Sequence, residues 1–267
     1  MMLSVIMPVA RLDEFLKLTL ISVESQTFRN FELILVCHSS LTNDLEVLLK
    51  QLGLGFSYRI IHTKLNGVAF AANLGIAASD SPYLARWDSD DMCDPNRFER
   101  QIAEFELDKS LSVIGTRVEI VDENGVPNKF HNFKYYNNNE SIRKALKFRQ
   151  PLLHSSLMFR SEIIFKNKGY LYGHTSEDHE MFIRIARDPS VGFKNLGDVK
   201  TFYRRHSAQL SDIAYQKKHF CDISGFMFTE FLMTLNPLYI LGMLVSFPPF
   251  RRFRHFYRRL CQFINEV

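Results

Sequence analysis

The 267-residue chain has only four cysteines, Cys37, Cys93, Cys221 and Cys261, and no two stand at C-x-x-C spacing. That excludes a disulfide scaffold and leaves no zinc-finger ligand set, so the thiols read as reduced, in a cytosol. No charge of one sign dominates: 33 Lys and Arg face 29 Asp and Glu, a formal +4. Bulk nucleic-acid binding is therefore not indicated. The apolar run around Leu238 to Phe247 is well short of the roughly 20 residues needed to span a bilayer. The N-terminal stretch Met1 to Val9 lacks a basic leader and a small-residue cleavage site and stops at Pro8, so it reads as a first buried strand rather than a signal sequence. There is one tryptophan, Trp87, and no internal repeat.

What is present is an alternation. A short, partly β-branched apolar run at Leu3 to Val9 precedes a segment with helical spacing, Asp13 to Gln26. The pattern repeats as strand Phe31 to Val36, helix Asn43 to Leu52, strand Tyr58 to Ile61, helix Val68 to Ala78 and strand Tyr83 to Trp87. Apolar strands separated by such helices predict a parallel sheet covered on both faces. Ligands of open sheets of this kind sit at the carboxyl ends of the strands. The polar residues to consider are thus Ala10 and Arg11, Cys37 to Ser40, Asn66 and Gly67, and Asp88 to Asp91. Further along, a helix after Pro95 running through Arg97, Phe98, Ile102 and Phe105, a strand Ser112 to Val121, a turn at Asp122 to Gly125, a loop Tyr135 to Glu140 and a helix Ser176 to Arg187 are expected.

The strongest local feature is Asp88-Ser-Asp90-Asp91 at the end of a buried strand. Crowded carboxylates repel unless a cation neutralises them, and hard oxygen ligands suit Mg²⁺ or Mn²⁺, which bind through one or two carboxylates plus substrate phosphates. A solvated turn, with Asp91 or Asp94 capping the next helix, is the bland alternative.

Taken in order, the segments LSVIMPV (Leu3 to Val9), SVESQTF (Ser22 to Phe28), FELILV (Phe31 to Val36), NGVAFAANLGI (Asn66 to Ile76), YLARWDSDD (Tyr83 to Asp91), DPNRF (Asp94 to Phe98), PLLHSSLMFR (Pro151 to Arg160), SEDHEMFIR (Ser176 to Arg184) and YRRHSAQLS (Tyr203 to Ser211) resemble glycosyltransferase family 2. The resemblance covers roughly the first four fifths of the chain. It implies an α/β, Rossmann-like GT-A fold and an inverting, metal-dependent sugar transferase of the kind that builds O-antigen, capsule or lipopolysaccharide. Carried over residue by residue, Asp88 and Asp90 match the D-x-D pair, the first on the donor's ribose side and the second holding Mn²⁺ or Mg²⁺, with Ser89 between them. Pro8 and Val9 match the lip of the nucleotide pocket, Asn66 and Asn73 lie in its helix segment, and His206 matches a histidine near the metal in some relatives. Asp178 matches the general base, where a first-turn carboxylate facing the helix dipole is the competing reading. Glu177, His154 and Trp87 are candidates for the acceptor side, although a buried structural role is the preferred reading for His154 and for Trp87, which ends an apolar strand.

Two departures stand out. Where relatives carry V-x-D-G-S after the second strand, this chain has Val36-Cys-His-Ser-Ser40, so His38 replaces the aspartate that reads the base; and Arg11 stands where a Y-N pair is usual. A UDP-sugar donor carrying a hexose or N-acetylhexosamine is the expectation from the family. The catalytic unit is expected at 1–211, with a donor half at 1–119 and an acceptor half at 120–211, and a helical, amphipathic extension at 212–267. That extension ends in Arg251-Arg-Phe-Arg-His-Phe-Tyr-Arg-Arg259, whose aromatics and arginines suit an anionic membrane surface. Packing on the catalytic unit is the alternative. The acceptor is then a lipid-linked saccharide, reached by a peripheral protein on the inner face of the cytoplasmic membrane, with a β-linkage formed. Competing functions are a sugar nucleotidyltransferase, against which the absence of a glycine-rich basic loop after the first strand counts, and a non-catalytic sugar-nucleotide binder.

Overall fold

A computed structural model describes residues 1–128, 133–171, 175–206 and 213–247. Eight strands form one sheet in the order β3-β2-β1-β4-β7-β6-β8-β5. Strands β1 (Leu3–Val9), β2 (Phe31–His38), β3 (Ser57–Thr63) and β4 (Tyr83–Arg86) are parallel neighbours, as the alternation with helices requires. The helices between them are α1 (Glu14–Glu24), α2 (Thr42–Leu52) and α3 (Val68–Ala77). The second half is mixed, which the sequence pattern did not reveal. Strand β7 (Met158–Arg160) runs antiparallel to β4 and to β6 (Leu111–Val121), while β6 pairs in parallel with β8 (Gly192–Arg204). The two-residue β5 (Met92–Cys93) closes the edge antiparallel to β8.

Both faces of the sheet are covered because β1 presents apolar side chains to each. Leu3, Val5, Met7 and Val9 join a core with Leu16, Leu20 and Val23 of α1, Leu45 and Leu49 of α2, and Phe98, Ile102 and Phe105 of α4 (Arg97–Leu107). Ile6 joins the opposite core, built from α3, α5 (Asn139–Leu146), α6 (Ser161–Lys166) and α7 (Glu177–Ile185). Close packing of α3 on the sheet depends on Gly75, where a Cβ would sit 2.6 Å from a methyl of Ile6. Helix α1 begins at an Asp13 cap that accepts from the Leu16 amide. Helix α4 begins after Pro95 as expected, but neither Asp91 nor Asp94 caps it. Gln26, 1% exposed, takes that role from a distance, accepting from the Phe98 amide while its own amide donates to the Asp94 carbonyl.

The expected turn after β6 is present, with Gly125 at φ +81° and the Asp122 carboxylate accepting from the Asn124 and Val126 amides. The expected loop Tyr135 to Glu140 gives way at its end to α5, because Asn138 and Ser141 form a reciprocal capping box. Helix α8 (Ile213–Thr234) and helix α9 (Pro237–Ser246) follow, and they pack on the body of the fold: Ile223, Phe226, Met227 and Tyr239 belong to the second core. Among the described residues no helix is long and apolar enough to cross a membrane. Phe130 and His131 of the connecting loop, Gln209 to Ser211 of the last motif and the segment Arg251 to Arg259 lie outside the described residues.

Candidate active site

The site forms where the parallel strands end. Val9 lies beside Cys37 across the β1–β2 ladder, and the Trp87 amide donates to the Ile6 carbonyl, so the chain leaving β4 emerges beside the ends of β1 and β2. Pro8 and half-buried His38 flank that edge, and exposed Arg11 follows it, 3.6 Å from Asp13. His38 holds its own turn, its Nδ1 accepting from the Ser40 amide.

The loop after β4 is held rigidly. Asp88 takes an ion pair from Arg86 at 2.6 Å, its Oδ2 accepts from the Ser155 hydroxyl at 2.8 Å, and its amide donates back to the Ser155 oxygen. Burial raises the Asp88 pKa, but the Arg86 charge and the Ser155 hydroxyl outweigh it and hold the carboxyl below its ordinary value. Asp90 faces the end of β8, where its Oδ2 meets Nε2 of His206 at 3.0 Å. Burial and the Asp88 charge push the Asp90 carboxyl upward. His206 stacks on Phe15 at 4.7 Å, so the ring is held between that stack and its contact with Asp90. Ser89 is half-buried between the two aspartates.

Asp91 is not a third ligand. It is fully buried, its Oδ1 accepts from the Arg204 amide, and its carbonyl accepts from the Trp87 indole and the Thr19 hydroxyl. Burial, then the charges of Asp90 and Asp88, raise its carboxyl well above the usual range. The crowding read in the sequence is relieved by turning one carboxylate inward.

Two further expectations are corrected. Trp87 is 0% exposed and packs edge-on against Phe98, so no face remains for an acceptor sugar. Asn73 clamps the chain after α6: its amide nitrogen donates to the Tyr170 carbonyl at 2.8 Å and its oxygen accepts from the Tyr170 amide at 2.9 Å. That leaves it as a structural tie rather than a donor ligand. Asn66, by contrast, is exposed just before α3.

Glu177 and Asp178 stand in the first turn of α7, where the helix dipole favours negative charge. Asp178 accepts from the His179 amide at 2.7 Å. Burial and the neighbouring Asp178 push Glu177 up to about 7. His154 is buried on Tyr170, its Nε2 hydrogen-bonded to the phenol oxygen, and burial with the nearby Arg86 charge lowers it to about 4. It is a neutral packing group whose backbone turn positions Ser155.

Four residues that the sequence reading passed over complete the site: Arg86, Ser155, Tyr170 and Arg204. Arg86 is 3% exposed and its charge acts on Asp88, His154, Tyr170 and Glu177, so one buried guanidinium links the aspartate loop to the first turn of α7. The legible signal was a lone cation inside the apolar strand Tyr-Leu-Ala-Arg-Trp. Among the described residues no group of three or more His, Cys, Asp or Glu is placed to hold a metal ion. Asp88 is engaged by Arg86 and Ser155 and His206 by Asp90, so Asp90 is the carboxylate left to meet a cation; Mg²⁺ and Mn²⁺ need as few as one, with phosphate oxygens and water completing the shell.

Known proteins match this picture. The family model described as glycosyl transferase family 2 matches residues 4–167. The O-antigen biosynthesis glycosyltransferase WbnJ of Escherichia coli is 31% identical over 250 residues, covering 92% of this chain and 95% of that protein. The UDP-Glc:alpha-D-GlcNAc-diphosphoundecaprenol beta-1,3-glucosyltransferase WfgD of the same species is 23% identical over 226 residues, covering 84% of this chain and 85% of its own. The mannosyltransferase PcManGT of Pyrobaculum calidifontis, solved with GDP-Man and Mn²⁺, superposes with a TM-score of 0.61 at 11% identity, over 92% of this chain and 73% of that one. A GT-A sheet, an aspartate loop at the end of β4 and these relatives agree: the chain belongs to glycosyltransferase family 2 and is a glycosyltransferase.

Proposed function

We propose that the protein is an inverting, divalent-metal-dependent transferase that moves a hexose or N-acetylhexosamine from a UDP-sugar to a hydroxyl of a lipid-linked saccharide, forming a β-linkage in surface polysaccharide synthesis. The observation that carries this reading is that one buried charge, Arg86, acts both on Asp88 of the aspartate loop, where Asp90 pairs with His206, and on Glu177 beside Asp178. The donor's diphosphate is placed at the Asp88–Asp90 loop, and Pro8, Val9, Arg11, His38, Asn66 and Ser89 lie along the nucleotide's path. Asp90, assisted by Asp88 and His206, would hold Mn²⁺ or Mg²⁺, which would supply the charge that neutralises the diphosphate.

Asp178 takes the proton of the acceptor hydroxyl. The acceptor oxygen bonds to the anomeric carbon as the bond from that carbon to the diphosphate oxygen breaks, and the electron pair leaves on the diphosphate. One displacement inverts the centre. Glu177, kept partly protonated by burial, is placed to hold a second acceptor hydroxyl without competing for the proton. The catalytic unit is read as residues 1–211, with the donor side in 1–119. The arginine-rich tail is proposed to hold the protein on the inner face of the cytoplasmic membrane. The base of the nucleotide rests on WfgD, named for a UDP-sugar, and the lipid-linked acceptor on the same relative.

The test is a panel of UDP-, GDP- and dTDP-sugars assayed for Mn²⁺-dependent hydrolysis and for thermal stabilisation. Asp90→Asn is expected to abolish metal-dependent donor binding. Asp178→Asn keeps binding and loses turnover by about 10²-fold or more. Wild-type turnover in either variant overturns the corresponding role.

A further inference from the structure

The α8–α9 hairpin carries a surface that the catalytic reading does not use. Helix α8 binds the body through Ile223, Phe226 and Met227, and through an ion pair of buried Glu230 with Arg187. Residues on its opposite face are Cys221, Gly225, Phe228 and Leu232, spaced three and four apart. Phe228 is 47% exposed and Leu232 58%. Helix α9 contains no charged residue at all. It turns Tyr239 and Gly242 inward, the latter against the Lys147 carbonyl, and Leu241 and Leu244 outward, each 48% exposed. Met233 and Leu235, at 63% and 74%, fill the corner between the helices. Scattered apolar residues on a surface need no explanation, but a contiguous charge-free face of this kind marks an interaction site.

We propose that this outward face docks the protein on an anionic lipid bilayer by inserting Phe228, Leu232, Met233, Leu235, Leu241 and Leu244 into the headgroup boundary. The occupant is argued from what adjoins the face. Four residues after the end of the described chain at Phe247 the sequence enters Arg251-Arg252-Phe-Arg254, with Arg258 and Arg259 to follow. An apolar face continued by a cationic segment matches the two layers of an anionic membrane surface, acyl chains below and phosphates above. A charge-free face joined to five arginines gives a second protein copy no such complement.

The placement has a consequence for the reaction. Helix α8 grips the catalytic wall on both sides of Glu177 and Asp178: Thr175 donates to Asp222 at 2.6 Å, and the His179 ring packs on Phe226 at 5.5 Å. Docking through α8 therefore fixes the orientation of the proposed base relative to the bilayer. This part rests on the lipid-borne acceptor proposed above.

The experiment uses the full chain and vesicles of phosphatidylcholine alone or mixed in equal parts with phosphatidylglycerol. Wild-type protein is expected to sediment with the mixed vesicles. The Leu241→Glu, Leu244→Glu double variant, altered only at exposed positions, is expected to lose about tenfold or more in partitioning. Its thermal midpoint and vesicle-free, Mn²⁺-dependent donor hydrolysis stay at wild-type levels. Phe228→Glu, Leu232→Glu tests the same face from the other helix and is expected to do the same. Wild-type partitioning by both variants overturns the proposal, as does a wild-type dimer that the variants dissociate. Absent donor hydrolysis in the wild type would instead sink the transferase reading and leave the docking result standing.

Discussion

Replacing Arg86 by methionine is the sharpest probe of how the site is held. The guanidinium is 3% exposed and lies 2.6 Å from the Asp88 carboxylate, which keeps 30% exposure. Deleting one partner of a buried pair costs about 3–5 kcal/mol, because the other charge is stranded. Here Asp88 retains solvent contact and the Ser155 hydroxyl at 2.8 Å, so the cost falls below that range, to about 2–3 kcal/mol. For a chain of this size that is a fall of about 4–6 °C in thermal midpoint. Asp88 also loses the charge that lowers its pKa, so donor affinity weakens at mildly acid pH where wild-type binding persists. The assay is thermal unfolding and donor titration of Arg86→Met, Asp88→Asn and the double variant. A coupling of about 1–2 kcal/mol is expected, and Arg86→Lys recovers part of it. Strict additivity with an unchanged midpoint would refute the claim that Arg86 anchors the loop.

Glu177 gives a pH signature. Its carboxyl is pushed up to about 7 from an ordinary 4.5, so the folded chain keeps a proton that the unfolded chain releases, and stability falls as pH rises between those values. Glu177→Gln removes that loss, and is expected to be more stable than wild type at pH 8 by about 1–3 kcal/mol yet nearly equal at pH 4.5, measured by thermal unfolding; an equal difference at both pH values contradicts the assignment. Asn73→Ala should cost about 1–3 kcal/mol by leaving the Tyr170 backbone groups unpaired, with donor KM hardly changed. A large rise in KM with unaltered stability would return Asn73 to the donor site.

Much of the first half of the fold was legible because its signals are local. The apolar run Leu3 to Val9, the helix cap at Asp13 and the alternation up to Tyr83 each specify an element through period and capping, and the four parallel strands follow from short helical crossovers. Order was harder beyond Asp91. Strand β7 has three residues and β5 two, too few to show a period, and both reverse the sheet direction. Helix α5 was hidden inside a polar stretch because its apolar stripe, Ile142, Ala145 and Leu146, is short.

Within the site the sequence singled out the candidate residues for chemistry: aspartates at a strand end and a carboxylate pair opening a helix. Their roles depend on partners far away in the chain, and only the tertiary structure decided those. Asp88 is held by Ser155, 67 positions on, Asp90 by His206, 116 positions on, and Asp91 is drawn inward by the Arg204 amide, 113 positions on. Three neighbouring carboxylates in one tetrapeptide look alike to any local rule. Burial and a charged or hydrogen-bonding neighbour separate them, because the energy of an ionised group is set by what surrounds it in space.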